Sequence, residues 1–367
     1  MTMSLPASLA AVQNVLILRT DHLGDLLLST PLIRTMRTAL PGRRFTLVAS
    51  PANAGALDAW NAIDEVRVFD PAWPWQRKRE FVRELRQTRW DLCLTLSPRT
   101  PSYLLGWLSG APLRAGIIYS RRVMARLLSP WWLTHPVVLD VDELLAAGRS
   151  VPHEVKQLAK IAEKLGLPVS EPGPLEFPLD PDEVIWAAVW LQENAAAFSV
   201  NRSENPSAHV PSIVGIHGAG KWLSQGWTAQ DFLALVRSIV LMRPDTKVLL
   251  TFGPGDIALQ KAVEAALAQK SCPAVLLPGQ LPIARWAALL SLCTVVISPD
   301  TGSLHLAVAL GCPVVAMYEA GTFLHCSSQW APWQVPYGVV RRGIPAETLP
   351  LLVGEALRLI ELETKNA

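Results

Sequence analysis

Short apolar runs alternate with stretches of helical periodicity along the first half of the chain. Near-continuous apolar runs of strand length occupy residues 14–19, 44–50, 66–70 and 91–97. Apolar residues at helical spacing follow the first run, and an amphipathic helical pattern fills 76–90. Strands that alternate with helices predict a parallel sheet covered on both faces.

The same alternation returns in the second half of the chain. Strand-like runs there occupy residues 212–220, 247–255, 274–279, 294–302 and 313–318. Five prolines and two glycines between residues 165 and 183 are typical of a linker. We therefore predict an N-terminal domain over 1–178, a C-terminal domain over 179–345, and a final helix, 346–367, that packs back on the domains.

Loops from strand ends into helices are the expected binding regions of such domains. In open α/β sheets, ligands bind at the carboxyl ends of the strands. Two α/β domains with facing loops predict a central cleft. The loops that would line it lie at 20–25, 217–222, 252–256 and 298–303.

The composition agrees with a globular protein of two domains. Of 367 residues, half are hydrophobic and 17% are charged, which excludes a disordered chain. The five cysteines form no C-x-x-C pair and no zinc-ligand spacing, so we expect reduced thiols and no metal site. The sequence shows neither a signal peptide nor an unbroken apolar span, so we expect a cytoplasmic protein.

The net charge of +2 is unevenly distributed along the chain. Residues 1–170 contain 21 Lys and Arg against 14 Asp and Glu, and the remainder contains 12 against 17. A basic N-terminal half indicates an anionic partner such as nucleic acid, phosphorylated lipid or a membrane surface. Solvated helix faces explain the same counts without any partner.

A strand-to-helix transition at 299–305 has the residue types of a phosphate site. It contains Asp300, Thr301, Gly302 and Ser303. Free backbone amides at a helix start, aided by the helix dipole, bind phosphate, and a glycine admits the anion closely. Ordinary capping of the helix is the alternative interpretation. His305, one turn into the helix, is either a packed polar residue or a ligand contact.

A second glycine-rich strand end lies at 217–222, where Gly218 and Gly220 precede Lys221. The lysine adds a positive charge suited to a diphosphate. Its spacing differs from the G-x-x-x-x-G-K-[ST] loop, and 252–256 is not a G-x-G-x-x-G run. ATP hydrolysis by a P-loop and nicotinamide dinucleotide binding are therefore disfavoured.

The first strand-end loop offers a candidate general base. Asp25 follows Gly24 at the start of the first helix, with His22 as a competing base and Asp21 as an additional acid. An acid at this position also complements the helix dipole without any catalytic role. The helix start lowers the pKa of Asp25, whereas a general base works best near neutrality, so burial on domain closure has to compensate.

Arginines and tryptophans are interleaved at 73–90 and at 114–132, the second of which includes Arg121 and Arg122. A basic aromatic surface suits nucleic acid, an anionic sugar chain or phosphorylated lipid at a membrane. A helix with a buried apolar face and solvated charges is the alternative interpretation.

Three stretches in order, 14–42, 214–236 and 297–318, resemble glycosyltransferase family 9, the ADP-heptose lipopolysaccharide heptosyltransferases. The resemblance implies an α/β fold of the GT-B type, with acceptor on the N-terminal and nucleotide sugar on the C-terminal Rossmann-like domain. It implies inverting, metal-independent transfer of heptose from ADP-heptose to the lipopolysaccharide inner core, without a cofactor. Basic residues without a recognised binding motif argue against a nucleic-acid partner.

The resemblance also assigns roles to residues. Asp25 matches the family's general base. Donor binding is assigned to Lys221, Gly218, Gly220, Asp256, Asp300, Thr301, Gly302, Ser303 and His305. Acceptor binding is assigned to Asp21, His22, Gly24, Arg121 and Arg122. An anionic lipopolysaccharide-type acceptor suits the basic N-terminal domain and implies peripheral contact with the inner face of the cytoplasmic membrane.

One position departs from the family pattern. The family has a basic residue in a K-R-W-like run where this chain has Gln225. Either Lys221 reaches the phosphate instead, or the donor binds differently. Two alternatives therefore stay open: a GT-B transferase of another nucleotide sugar or cell-surface acceptor, and a non-catalytic relative that binds nucleotide sugar.

Overall fold

The computed structural model describes residues 6–57, 59–168, 171–195, 212–224, 226–270 and 272–366. The chain divides into two compact units. Unit 1 comprises Met1–Pro178 with Ser328–Trp330, and unit 2 comprises Leu179–Ser327 with Ala331–Ala367. Gln225, the departure from the family pattern, lies outside the described residues.

Unit 1 contains a parallel six-stranded sheet. Its strands are β1 (Asn14–Arg19), β2 (Arg44–Ala49), β3 (Glu65–Val68), β4 (Leu92–Thr95), β5 (Leu113–Tyr119) and β6 (His135–Leu139). Their spatial order is β3-β2-β1-β4-β5-β6. The last five residues of β1 are buried, because a central parallel strand is covered on both faces.

Helices connect the strands of unit 1. They are α1 (Ala7–Ala10), α2 (Leu23–Leu28), α3 (Thr30–Ala39), α4 (Trp75–Leu85), α5 (Thr100–Leu108), α6 (Val123–Trp132), α7 (Val141–Ala146) and α8 (Glu154–Lys164). α4 buries Phe81 and Leu85 and exposes Arg79 and Arg83. The first basic aromatic stretch is therefore largely a helix with a buried apolar face.

Unit 2 repeats this architecture. Its strands are β7 (Ile213–Gly218), β8 (Lys247–Phe252), β9 (Val275–Leu276), β10 (Val295–Pro299), β11 (Val314–Tyr318) and β12 (Tyr337–Arg341). All are paired in parallel, in the order β12-β11-β10-β7-β8-β9. β10 and β7 are central, so their carboxyl ends lie side by side.

The helices of unit 2 are α9 (Pro181–Ala195), α10 (Ala229–Met242), α11 (Ile257–Gln269), α12 (Ile283–Leu290), α13 (Gly302–Ala309) and α15 (Pro345–Asn366). A further helix, α14 (Phe323–Gln329), begins in unit 2, and its last two residues belong to unit 1. α15 packs on α10 and on β10, β11 and β12. It shares an apolar core with β7, to which Leu359 and Ile360 contribute. Each large apolar side chain buried in this way stabilises the fold by about 1.5–3 kcal/mol.

The predicted α/β class with two Rossmann-like parallel sheets is confirmed. Three strands, β5, β6 and β12, lie where the apolar pattern predicted none. β6 and β12 are edge strands, and their mixed sequences lack the continuous apolar run of a central strand. No helix within the described ranges is long and apolar enough to cross a membrane.

Candidate active site

A buried arginine ends the central strand of unit 1. Arg19 is 1% exposed, and it donates from Nε to the Asp25 carbonyl oxygen at 2.9 Å and from Nη1 to the Leu96 carbonyl oxygen. Its guanidinium forms ion pairs with Glu154 at 2.6 Å, Asp21 at 3.3 Å and Asp25 at 3.7 Å. We call Arg19 and these three acids the carboxylate cluster. A cation so deeply buried needs such partners.

Glu154 begins α8 and is the nearest anionic partner of Arg19. Its Oε2 accepts hydrogen bonds from Trp330 Nε1 at 2.5 Å and Gln329 Nε2 at 3.3 Å. Burial alone would raise the pKa of Glu154, but the Arg19 guanidinium and these hydrogen bonds outweigh it and lower the pKa. Glu154 is therefore a fixed, ionised carboxylate.

Asp25 lies in the first turn of α2 and is partly exposed. Its Oδ2 accepts a hydrogen bond from the His22 amide at 3.3 Å. Burial raises the pKa of Asp25 to about 6, against the effect of Arg19 and with the help of Asp21 and Glu154. The His22 amide at the helix start lowers this pKa as expected, but burial within unit 1 already outweighs it, whereas the sequence analysis assigned the compensating burial to domain closure. A carboxylate of this pKa is ionised at neutral pH and suits general base catalysis.

The charge balance of the cluster explains why Asp25 differs from its neighbours. One guanidinium faces three carboxylates, so full ionisation leaves an excess of negative charge in a largely buried site. Asp25 is the acid farthest from the guanidinium. The ionised form of Asp25 therefore receives less stabilisation from Arg19 than that of Glu154.

The other predicted residues of this loop hold its shape. The Asp21 carbonyl oxygen accepts hydrogen bonds from Ser50 Oγ at 3.2 Å and Asn53 Nδ2 at 2.8 Å. Gly24 is buried in α2, whereas His22 is exposed. The loop is thus fixed at Asp21 and open at His22.

Arg121 and Arg122 follow β5, two strands away from β1 at the same edge of the sheet. Both are exposed. The Arg121 guanidinium lies 3.7 Å from Asp142, and Arg122 donates to the Pro98 carbonyl oxygen. In the contacts described, neither arginine joins the carboxylate cluster.

In unit 2, a chain of hydroxyl groups lies where β10 ends. Ser303 Oγ is 2.6 Å from Thr301 Oγ1 and 2.7 Å from Ser298 Oγ. Thr301 is the residue before α13, whose first residue is Gly302. Because the first amides of a helix have no partner within it, this helix start presents donors suited to an anion. His305 is buried one turn farther along.

Lys221 lies beside this helix start. Its Nζ donates to the Asp300 carbonyl oxygen and is 3.6 Å from the Asp300 carboxylate. The lysine belongs to a short turn, Gly220–Leu223, that follows β7. The pairing of β7 with β10 therefore brings a cation to the start of α13.

Asp256, Gly220 and Gly218 have contacts within the protein. Asp256 Oδ1 accepts a hydrogen bond from the Gly220 amide at 2.6 Å, which joins two glycine-rich loops. A Cβ atom at Gly218 would lie 2.3 Å from the Phe252 ring. Glycine is thus required at 218 by packing against the neighbouring strand, whatever its role in binding.

Arg342 holds the Lys221 turn from inside unit 2. It is 1% exposed, and its guanidinium donates to the carbonyl oxygens of Lys221, Trp222 (2.7 Å) and Ser224 (2.6 Å). It also lies 3.1 Å from Glu319 Oε1, which accepts a hydrogen bond from Ser224 Oγ at 2.7 Å. The position of Lys221 therefore depends on a buried ion pair.

His217, at the end of β7, borders the same region. Its Nδ1 lies 3.1 Å from Thr251 Oγ1, and its ring centroid is 4.7 Å from that of Trp286. Burial lowers the pKa of His217 to about 4. The imidazole is therefore neutral at physiological pH and adds no charge for a phosphate.

The sequence profile of glycosyltransferase family 9 (heptosyltransferase) matches residues 78–348. That range is most of the chain and includes the three strand-end loops of unit 2. The chain belongs to glycosyltransferase family 9. The expected glycosyltransferase activity and the resemblance drawn from the sequence are thereby confirmed.

Relatives of this family 9 chain include heptosyltransferases. Lipopolysaccharide heptosyltransferase 2 of Escherichia coli is 20% identical over 317 residues, which cover 83% of this chain and 82% of that protein. A family 9 glycosyltransferase structure from Veillonella parvula has a TM-score of 0.75 at 19% identity and covers 95% and 97% of the two chains. The structure of E. coli heptosyltransferase WaaC with ADP has a TM-score of 0.64 at 18% identity and covers 97% and 99%. These likenesses show the GT-B type of fold.

Four residues of the candidate site were not predicted from the sequence. Arg19 and Glu154 are 135 positions apart, and Glu319 and Arg342 follow strand ends distant from Lys221. The one available signal for Arg19 was its position at the end of a buried apolar run, because a buried cation needs an anionic partner. No local pattern in the sequence identifies Glu154 as that partner.

Proposed function

We propose that this glycosyltransferase transfers heptose from ADP-heptose to the inner core of lipopolysaccharide. The observation that carries the proposal is Asp25, a carboxylate whose pKa burial raises to about 6 beside a fixed cation. Support for the donor and acceptor comes from the relative described as lipopolysaccharide heptosyltransferase 2 and from the related structure described with ADP.

In the proposed reaction, Asp25 acts as general base. An acceptor hydroxyl gives its proton to an Asp25 carboxylate oxygen while the hydroxyl oxygen attacks the anomeric carbon of the donor sugar. The bond from that carbon to the diphosphate oxygen breaks, and ADP leaves with the electron pair. Attack opposite the leaving group inverts the anomeric centre.

The proposed donor site is the start of α13 with Lys221. Negative charge develops on the diphosphate oxygens as the glycosidic bond breaks. The Gly302 and Ser303 amides, the Thr301 hydroxyl and the Lys221 ammonium are donors fixed before the reaction, which is how an enzyme stabilises developing charge. We propose that this set works without a metal ion or cofactor.

The proposed acceptor is anionic and lipid-linked. Arg121 and Arg122 are exposed at the carboxyl edge of the unit 1 sheet, where they can pair with phosphate or carboxylate groups. We propose that the enzyme meets this acceptor at the inner face of the cytoplasmic membrane.

The test is a transfer assay with purified protein, ADP-heptose and lipopolysaccharide that lacks heptose, with EDTA present. Release of ADP and the product mass by mass spectrometry are measured, with UDP-glucose and GDP-mannose as competing donors. We expect heptose transfer that EDTA does not change. Asp25→Asn should lower kcat by about 10²–10⁴-fold.

Three results would contradict the proposal. Transfer from UDP-glucose or GDP-mannose in preference to ADP-heptose would reassign the donor. Undiminished turnover in Asp25→Asn would remove Asp25 from the mechanism. Thermal stabilisation by ADP without transfer to any acceptor would indicate a nucleotide-binding relative without activity.

A further inference from the structure

Helix α6 presents its apolar side chains to solvent. Met124 is 67% exposed, Leu127 66% and Trp131 72%, and Val123 and Leu128 are exposed beside them. At 3.6 residues per turn, these five positions fall within an arc of about 140° on one side of the helix. The second basic aromatic stretch, 114–132, thus ends in a helix whose apolar side is exposed, whereas the sequence analysis considered a helix with its apolar side buried. We call these five residues the α6 face.

The other side of α6 packs against the rest of unit 1. Trp132 stacks on Tyr103 of α5 with ring centroids 5.7 Å apart, and Tyr103 packs with Ile118 and Leu133 in a small core. Ser129 is buried on the same side. The α6 face is therefore exposed because the helix packs on the core through its opposite side. α5, which packs beside α6, also exposes Leu104 and Trp107.

The sequence that leads into and through α6 is basic. Between Asp91 and Asp140 the sequence contains five arginines and no aspartate or glutamate. Arg126 lies on the margin of the α6 face, and Arg121 and Arg122 precede it; all three are exposed. An exposed apolar stripe bordered by cations is the pattern of a helix that lies in the interface of an anionic membrane.

Exposed apolar side chains on α9 and α4 have different surroundings. Ile185 and Val189 on α9 share their helix with Asp182 and Glu183. Trp75 is covered by the Arg79 guanidinium at 4.4 Å. The α6 face combines a broad apolar stripe with bordering arginines, of which Arg121 pairs with Asp142 of α7.

We propose that the α6 face docks the enzyme on an anionic phospholipid bilayer. The side chains of Leu127 and Trp131 enter the boundary between headgroups and acyl chains, and Arg126 pairs with lipid phosphates. The proposal rests on the proposed function, because a lipid-linked acceptor is reached at a membrane. β5 leads into α6 at the same sheet edge as Asp25, so docking would bring the carboxyl edge of this sheet toward the lipid surface.

The test is co-sedimentation of full-length protein with vesicles of phosphatidylglycerol and phosphatidylethanolamine, compared with vesicles of phosphatidylcholine. The variant is Leu127→Gln with Trp131→Gln. The matched control is Leu241→Gln with Met242→Gln, which removes two exposed apolar side chains from α10. We expect wild type and control to bind the anionic vesicles, and the variant to bind about tenfold more weakly.

The remaining readouts separate the proposal from its alternatives. Thermal melts should show the variant folded, and heptose transfer to a soluble acceptor without acyl chains should match wild type. Absent binding of wild type to anionic vesicles, or equal binding of variant and wild type, would overturn the proposal. A wild-type dimer that the variant loses, with vesicle binding unchanged, would instead assign the α6 face to a second copy. Vesicle binding can be measured even if no heptose transfer occurs, so the two proposals fail separately.

Discussion

Asp25 and Glu154 share one guanidinium but are in different electrostatic states. Glu154 accepts three hydrogen bonds from cationic or polar donors, and its pKa is lowered. Asp25 accepts one from a backbone amide, is farther from Arg19, and has its pKa raised to about 6. Two acids whose environments move their pKa values apart are typical of a site in which one serves as base.

Replacing Asp25 should make the protein more stable at neutral pH. The pKa of Asp25 is about 6 when folded, above its ordinary value of 3.8. The folded state therefore favours the protonated acid, and stability is lost as the pH rises from about 4 through 6. Asp25→Asn avoids this loss. We therefore expect its free energy of unfolding to exceed that of wild type by about 1–2 kcal/mol at pH 8 and by little at pH 4. Urea unfolding at both pH values measures the difference, and an equal effect at both would contradict it.

Glu154→Gln should move the pH dependence of the reaction. Ionised Glu154 raises the pKa of Asp25 and occupies Arg19. Removing its charge lowers the pKa of Asp25, so the acid limb of kcat/KM, which lies near pH 6 in wild type, should shift to lower pH. Glu163→Gln, on the exposed side of α8, is the matched control and should leave the profile unchanged. A purely structural role for Glu154 would lower the rate without moving the limb.

At the scale of elements, the order of strands decides which loops meet. β7 and β10 are adjacent although 76 residues lie between the end of β7 and the start of β10. This pairing places Lys221 beside the start of α13. Their continuous apolar runs made both strands predictable, because a central parallel strand is buried on both faces. The strand-end loops were predictable for the same reason.

The buried supports of those loops could not be predicted. Arg342 acts on three carbonyl oxygens of a turn more than 110 positions earlier, and Glu154 acts across 135 positions on Arg19. Such pairs follow from tertiary packing and leave no periodic or local signal. The sequence analysis assigned the burial of Asp25 to domain closure, because burial within a folded unit leaves no local signal.

Arg342→Lys should weaken donor binding. A lysine has one point charge and cannot bond three carbonyl oxygens in the fork geometry of guanidinium. We expect the turn at Lys221 to loosen, and the KM for the donor to rise about tenfold with a smaller change in kcat. Arg341→Lys, the exposed neighbour, is the control. Thermal stabilisation of the protein by ADP should also be smaller in Arg342→Lys. An unchanged donor KM would show that the hydrogen bonds from Arg342 do not affect the donor site.

At the scale of the whole molecule, the two halves of the sequence differ in the sign of their net charge. Residues 1–178 contain 21 basic and 16 acidic side chains, and residues 179–367 contain 12 and 15. Net charge of opposite sign favours different ligands on the two units through their long-range fields. The anionic acceptor proposed for unit 1 is attracted by the field of its unit, whereas donor binding in unit 2 relies on the close contacts of one helix start.

This difference predicts unequal sensitivity to salt. Long-range attraction is screened when ionic strength shortens the Debye length, from about 10 Å at 0.1 M to about 3 Å at 1 M. The KM for acceptor should therefore rise several-fold between 50 mM and 500 mM KCl, while the KM for ADP-heptose changes less. Initial rates with each substrate varied in turn measure both values. An acceptor stripped of its phosphates should lose most of the salt effect, because its attraction to the basic unit is then weaker; an equal rise in both KM values would show that the charge of unit 1 does not select the acceptor.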